Sequence, residues 1–91
     1  MKHMLAIKDH KTGGFNDPVF ATHAPKVVRE LALHIKQSPQ SPYATFPADY
    51  SLWLLGTFQE ETGEILPQAS PEHIMNFTDI IELYSKEVKN G

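Results

Sequence analysis

The segment QEETGE, residues 59–64, contains the densest group of side chains that could bind a metal or catalyse a reaction. A calcium loop requires oxygen ligands at alternating positions over about a dozen residues, closed by a bidentate glutamate. A glycosidase requires a pair of carboxyl groups, one of them buried and with a raised pKa. The glutamates here are bunched around Thr62-Gly63 instead. We therefore expect an exposed hairpin turn in which Gly63 adopts positive φ and the charges keep the tip solvated.

The other reactive residue types form no recognisable motif. The histidines show neither the His-x-x-x-His spacing nor the ligand triplets of a metal centre. Gly13-Gly14 lacks the flanking glycine and the Lys-Ser/Thr pair of a phosphate-binding loop, and no serine lies in a nucleophile elbow. The chain has no cysteine, which excludes disulfides, thiolate zinc sites and thiol nucleophiles. We expect no catalytic residue, no metal site and no cofactor.

The basic residues are concentrated in the first half of the chain. Residues 1–45 carry six basic and three acidic side chains, whereas residues 46–91 carry two basic and eight acidic ones, and the net charge is −3. Such an asymmetry indicates a basic binding surface or head-to-tail self-association, although chance variation of the surface also explains it.

A basic binding surface raises the question of nucleic acid. Phosphate binding requires several cations close together, and single-strand binding adds aromatic rings on which bases stack. The predicted phosphate contacts, on the first hairpin and on one helix face around Leu33, are Lys8, Lys11, Lys26, Arg29 and Lys36. The predicted stacking residues are Phe15 and Tyr43. Phe46 and Trp53 are alternatives, of which Trp53 is better explained as a core residue.

The hydrophobic pattern predicts the order strand, strand, helix, strand, strand, helix. Thr22 is the expected N-cap of the first helix, and Ser70 is the expected N-cap of the last, with Pro71 and Glu72 in its first turn. Residues 38–50 contain three prolines and therefore form a long connection. The predicted core face of the first helix consists of Val27, Val28, Leu31, Ala32 and Ile35.

These elements predict an α+β fold of ββαββα order, in which a four-stranded antiparallel sheet packs with two helices. Residues 1–91 should form a single domain, because this length supports one modest core. Residues 1–3 are either a cloning remnant or part of the natural chain, and residues 89–91 are expected to be a flexible tail. No membrane span and no signal peptide are recognisable, so we expect a soluble, intracellular protein.

The predicted third strand, SLWLLGTF, is apolar on both faces. Strict alternation directs Leu52, Leu54 and Phe58 to one side, with Trp53 and Leu55 on the other. Both faces then need cover, either from helices on both sides or from helices on one side and a second subunit on the other. The second arrangement predicts a homodimer.

Three segments resemble a known family: AIKDHKTGGF…PVFAT, the helix VVRELALHI, and FPADYSLWLLGTFQEETGEILP. Together, in this order, they are similar to small nonstructural proteins of the Microviridae, in particular of the gokushovirus-like single-stranded-DNA phages. The resemblance extends from about Met4 to Asp79 and does not include the final YSKEVKNG. It implies a protein that acts in the cytoplasm of the infected bacterium, is not part of the capsid, and assists genome replication or packaging, with DNA binding assumed. The family has no catalytic motif to transfer.

The sequence therefore predicts a non-enzymatic, dimeric phage accessory protein that binds single-stranded DNA. The alternative is a protein–protein interaction adaptor that engages a phage replication protein or a host factor through the Leu33 side of the first helix or through a sheet edge.

Overall fold

The computed structural model describes residues 1–85 in full and the backbone of residues 86–90. The strands are β1 (Lys2–Asp9), β2 (Val19–Ala21), β3 (Tyr50–Phe58) and β4 (Ile65–Asn76). The helices are α1 (Ala24–Gln37), the short α2 (Pro42–Thr45) and α3 (Phe77–Asn90), with a 3₁₀ turn at Pro47–Asp49. The expected tail at 89–91 lies at the limit of this description, since Gly91 and the side chains of 86–90 lie outside the described residues.

The strands form one antiparallel sheet in the order β2-β1-β3-β4, which confirms the predicted α+β fold and the ββαββα order. The long connection at 38–50 contains α2 and the 3₁₀ turn, because its prolines favour short helical turns over a strand. In the described part of the chain, no helix is long and apolar enough to cross a membrane.

The core lies between one face of the sheet and the two long helices. Leu5 of β1, Leu52 of β3, and Phe77 and Ile80 of α3 are fully or almost fully buried. The predicted core face of α1 is confirmed: four of its members are buried, and Leu31 packs against them half-buried. The helix begins at Ala24 with His23 in the capping position, one residue after the expected Thr22.

Strand β4 is longer than the sequence predicted, and the expected helix start at Ser70 is wrong. The strand continues to Asn76, and α3 begins at Phe77. Glu72, His73, Met75 and Asn76 pair with β3, for example His73 with Trp53, and a register shift leaves Ile74 between them without a partner on β3. Pro71 has no N–H to donate, but it is tolerated here because β4 is an edge strand. The Ser-Pro-Glu pattern of a helix start is thus overridden by strand pairing.

A bulge changes the alternation of side chains along β3. In the described sheet Leu55 pairs with neither neighbouring strand, while Leu54 and Gly56 on either side of it do. One extra residue reverses the faces beyond it. Phe58 accordingly contacts Phe20, at 5.5 Å between ring centroids, instead of sharing a face with Leu52 as strict alternation predicted.

The two Thr-Gly segments form turns of the same construction. In the hairpin between β3 and β4, Gly63 has a φ of 77° and its N–H donates to the Gln59 carbonyl at 2.7 Å. In the first turn, Gly13 has a φ of 79° and donates to the Asp9 carbonyl at 2.8 Å. Only glycine adopts this backbone conformation without strain, which explains the shared motif.

Replacing Gly56 by alanine should destabilise the fold. An alanine Cβ at this position would lie 2.5 Å from the Leu66 carbonyl oxygen and 2.9 Å from the Pro67 Cα, both backbone atoms of the paired strand. This clash can be relieved only if the β3–β4 pairing shifts, so we expect the free energy of unfolding to fall by about 1–3 kcal/mol. The melting temperature should fall by about 4–8 °C per kcal/mol.

Gly14→Ala is the matched control, because its Cβ would meet the Thr12 Oγ1 at 3.8 Å, an ordinary contact. Equal melting temperatures for the two variants, measured by circular dichroism, would contradict the close approach at Gly56.

Candidate nucleic-acid interface

The face of the sheet opposite the helices carries a group of aromatic and basic side chains, which we call the open face. In the described part of the chain no helix packs on it. Side chains alternate between the two faces along a strand. Because Leu5 of β1 and Leu52 of β3 enter the core, the residues that neighbour them in sequence on each strand point to the open face. The group consists of Lys8, His10, Phe15, Ser51, Trp53 and His73.

Trp53 is the centre of this group. Its ring meets Phe15 at 6.1 Å between centroids and 87° between planes, and it meets His73 at 5.2 Å and 82°. Both contacts are edge-to-face, a favourable arrangement for aromatic pairs. The Lys8 Nζ lies 5.1 Å from the centroid of the Trp53 ring and 5.7 Å from that of Phe15, within the range of cation–π attraction.

Two chain reversals place Phe15 and His73 in this group. The first Thr-Gly turn reverses the chain after β1, so that Phe15 forms an isolated bridge with Lys8. Strand pairing of β3 with β4 sets His73 directly opposite Trp53. The His73 Nε2 is in turn hydrogen-bonded to the Asn76 Oδ1 at 2.9 Å, which fixes the imidazole ring.

A buried serine anchors the tryptophan. The Trp53 indole N–H donates to the Ser51 Oγ at 2.7 Å, and the His10 Nε2 forms a second hydrogen bond with the same oxygen, also at 2.7 Å. Ser51 is fully buried. A Ser–His pair at this distance is also found in hydrolases, but a nucleophile must reach its substrate. The arrangement therefore orients the Trp53 ring.

Two of the predicted phosphate contacts, Lys8 and Lys11, lie on β1 and in the turn that follows it. Lys8 lies on the open face itself. Lys11 lies in the exposed first turn, where its Nζ is 3.4 Å from the Asp49 Oδ2 and 5.6 Å from the centroid of the Phe46 ring. This ion pair is solvent-exposed and contributes little to stability.

The other three predicted phosphate contacts belong to the helix layer. Lys26, Arg29 and Lys36 are exposed on α1, which packs on the opposite face of the sheet. The Lys36 Nζ lies 5.1 Å from the centroid of the Tyr84 ring of α3. The five predicted cations therefore form two separate groups and do not make one continuous surface.

Of the two predicted stacking residues, Phe15 is exposed and Tyr43 is packed. Tyr43 is half-buried and contacts the rings of Tyr50 at 4.8 Å and Phe77 at 5.3 Å. Desolvation, together with the nearby Asp9 carboxylate, raises the pKa of Tyr50 above its ordinary value of 10.0. Both tyrosine rings therefore pack at the edge of the core.

Leu33, the predicted interaction residue, is 46% exposed on α1, and Leu83 of α3 is 44% exposed. A groove of about 420 Å³ lies between the two helices, with Ala32, Leu83 and Tyr84 among its lining residues.

The glutamate cluster forms the tip of the β3–β4 hairpin, as the sequence predicted. The Glu60 carboxylate lies 3.0 Å from the amino group of Met1, and both groups are solvent-exposed. Within the described residues, no three His, Asp or Glu side chains lie close enough together to hold a metal ion.

Sequence reasoning missed His10, Ser51 and His73 as members of the open face. These residues are far apart in the chain and share no periodic spacing, so only strand pairing brings them together. The available signal for the open face was the alternation along β3, which directs Trp53 to the side opposite Leu52. The pattern could not say which face the helices cover.

Replacing Ser51 by alanine should destabilise the protein and release the Trp53 ring. The indole N–H and His10 would lose their shared partner, which costs about 1–3 kcal/mol when the remaining group stays buried. The melting temperature should fall, and the fluorescence emission of Trp53 should shift to longer wavelength as water reaches the indole.

Ser70→Ala, at an exposed position of β4, is the control and should change neither property. An S51A variant with the emission and melting temperature of the wild-type protein would mean that Ser51 does not hold the tryptophan.

The model of the family described as Phage ORF5 protein matches residues 2–80. No curated protein and no solved structure matches the chain significantly. Since the family match includes all four strands, α1 and the start of α3, this chain belongs to the Phage ORF5 protein family.

Proposed function

We propose that this phage protein is a non-enzymatic accessory factor that binds single-stranded DNA during genome synthesis or packaging. The observation that carries the proposal is the position of Lys8 against the rings of Phe15 and Trp53, on a sheet face opposite the helices. A cation beside one exposed and one half-buried aromatic ring suits a strand with unpaired bases, because the phosphate attracts the cation and the bases stack.

The family and the resemblance to nonstructural proteins of the Microviridae support the biological setting that we propose. Membership of a phage family supports a role during infection. We propose that the protein acts in the cytoplasm of the infected bacterium, outside the capsid, and needs neither a cofactor nor a catalytic residue. The single-stranded genome of such phages supplies a substrate with accessible bases.

The net charge of −3 restricts how the strand can bind. A strand that followed the whole surface would meet the acidic side chains of α3 and of the β3–β4 hairpin. Binding must therefore be local, over the part of the sheet where Lys8 and Lys11 lie. Affinity should be moderate and should depend steeply on salt, because released counterions drive phosphate binding.

The test is a titration of fluorescently labelled single- and double-stranded oligonucleotides at about 50 mM and about 200 mM salt. We expect preferential binding of the single strand that weakens at the higher salt. The K8E/K11E double variant should bind roughly tenfold or more weakly, because two attractive charges near the phosphates become repulsive.

R29E/K36E is the matched control, since it reverses two charges on the opposite side of the molecule and should bind as the wild-type protein does. Absence of binding at the lower salt would overturn the proposal. If R29E/K36E loses binding and K8E/K11E does not, the DNA-binding site lies on α1 instead.

The second candidate function is an interaction adaptor, and it is favoured by the exposed Leu33 of α1 and by the exposed Leu83, which lines the groove between α1 and α3. The partner would be a phage replication protein, a host factor or a second copy of this chain in a homodimer. L33D should abolish co-purification of such a partner and lower the mass observed in sedimentation, whereas K8E should change neither. A monomer without a co-purifying protein would exclude the adaptor.

A further inference from the structure

We propose that Trp53 and Phe15 form a stacking platform for unpaired nucleobases, with Lys8 as the adjoining phosphate contact and Ser51 as the residue that positions Trp53. This inference rests on the proposed single-stranded-DNA function and assigns it a site. Its new element is Trp53, which sequence reasoning assigned to the core.

The surroundings of Trp53 do not match a core position. Its ring lies on the side of the sheet away from α1 and α3 and is half-buried. Its ring contacts are Lys8, the exposed His73 and the 39% exposed Phe15, and the buried Ala6 lies opposite it on β1. A tryptophan that only filled space would not need a cation 5.1 Å from its centroid.

Hydrogen bonds also hold the Trp53 ring in place before any ligand binds. A fully buried serine hydroxyl accepts the indole N–H at 2.7 Å, and His10 bonds to the same oxygen. The ring stands on β3, one of the two inner strands of the sheet. A rotamer fixed by such contacts loses little entropy when a ligand stacks on it, which favours binding.

The charges on the open face favour nucleic acid over a second copy of the chain. In a symmetric dimer, the same patch of each subunit meets its equivalent. Pairing of two open faces would bury the Lys8 ammonium of each subunit against a group of side chains that contains no carboxylate, so the charge would have no partner. A phosphate backbone instead supplies the opposite charge, and bases supply flat apolar surfaces for Phe15 and Trp53.

Trp53 is the only tryptophan in the chain, so its intrinsic fluorescence reports on this site alone. We expect unlabelled oligo(dT) to quench the Trp53 emission, with saturation at the concentration that saturates a labelled strand in anisotropy. An abasic strand with the same number of phosphates should bind about five- to a hundredfold more weakly, because it offers nothing to stack.

Phe15→Ala removes one ring of the platform without removing a core residue. The variant should bind oligo(dT) about five- to a hundredfold more weakly, whereas its affinity for the abasic strand should change little. Leu66→Ala, an exposed apolar position on β4, is the control and should bind both strands as the wild-type protein does.

The outcomes separate the platform from the proposed function. If oligo(dT) binds but leaves the Trp53 emission unchanged and F15A binds normally, the platform is overturned and DNA binding stands. If no strand binds at low salt, both are overturned. If the Trp53 emission changes with protein concentration in the absence of DNA, and sedimentation shows a dimer, the open face is a self-association surface and the platform is overturned.

Discussion

Phe77 joins the two layers of the molecule, and the rest of the structure depends on its burial. It is the first residue of α3, directly after β4, and it is fully buried. Tyr43 from the long connection and Tyr50 from β3 both pack on its ring. Sheet, connection and final helix therefore meet at one side chain. A chain of 91 residues has enough apolar surface for one such core, and that core lies on one side of the sheet.

The consequence is a sheet with two different faces. Toward the helices, Leu5 and Leu52 are buried among aliphatic and aromatic side chains. On the open face, the chain satisfies its groups by hydrogen bonds and ring contacts centred on Ser51 and Trp53. In the described residues, no buried side-chain polar atom lacks a hydrogen-bond partner. This polar and aromatic network lets the open face remain in contact with water, and the same groups suit it for a polar, planar ligand.

The charge asymmetry of the sequence takes on a different meaning in three dimensions. The basic first half divides between the two sides of the molecule, because β1 with its turn lies in the sheet and α1 lies in the helix layer. Lys36 packs over Tyr84, and Lys11 pairs with Asp49, so both are partly engaged by groups from the acidic half. Lys8 differs because its contacts are the rings of Phe15 and Trp53. The type of contact, more than the count of cations, distinguishes the proposed binding surface.

Local pattern was sufficient for the fold class, the core face of α1 and the hairpin turn at Thr62-Gly63. Each of these depends on residues close in sequence: a helical repeat of apolar side chains, or a glycine with positive φ. Pattern failed at Ser70, where the pairing of β4 with β3 outweighs a good helix-start sequence. It failed again at Phe58, because a bulge at Leu55 reverses the alternation and only the partner strands reveal it.

The candidate site shows the same division. Lys8, Lys11 and Phe15 were recognisable from the sequence because a glycine turn brings near neighbours together. The sequence did not show that His10, Ser51, Trp53 and His73 come together. Their meeting requires pairing between strands far apart in the chain, and it depends on which face of the sheet the helices bury. That choice is made by the packing of Phe77 and Ile80 against Leu5 and Leu52, a tertiary contact that periodicity cannot express. The sequence alone determined the elements and their turns, and the tertiary structure decided which side of the sheet is free to bind.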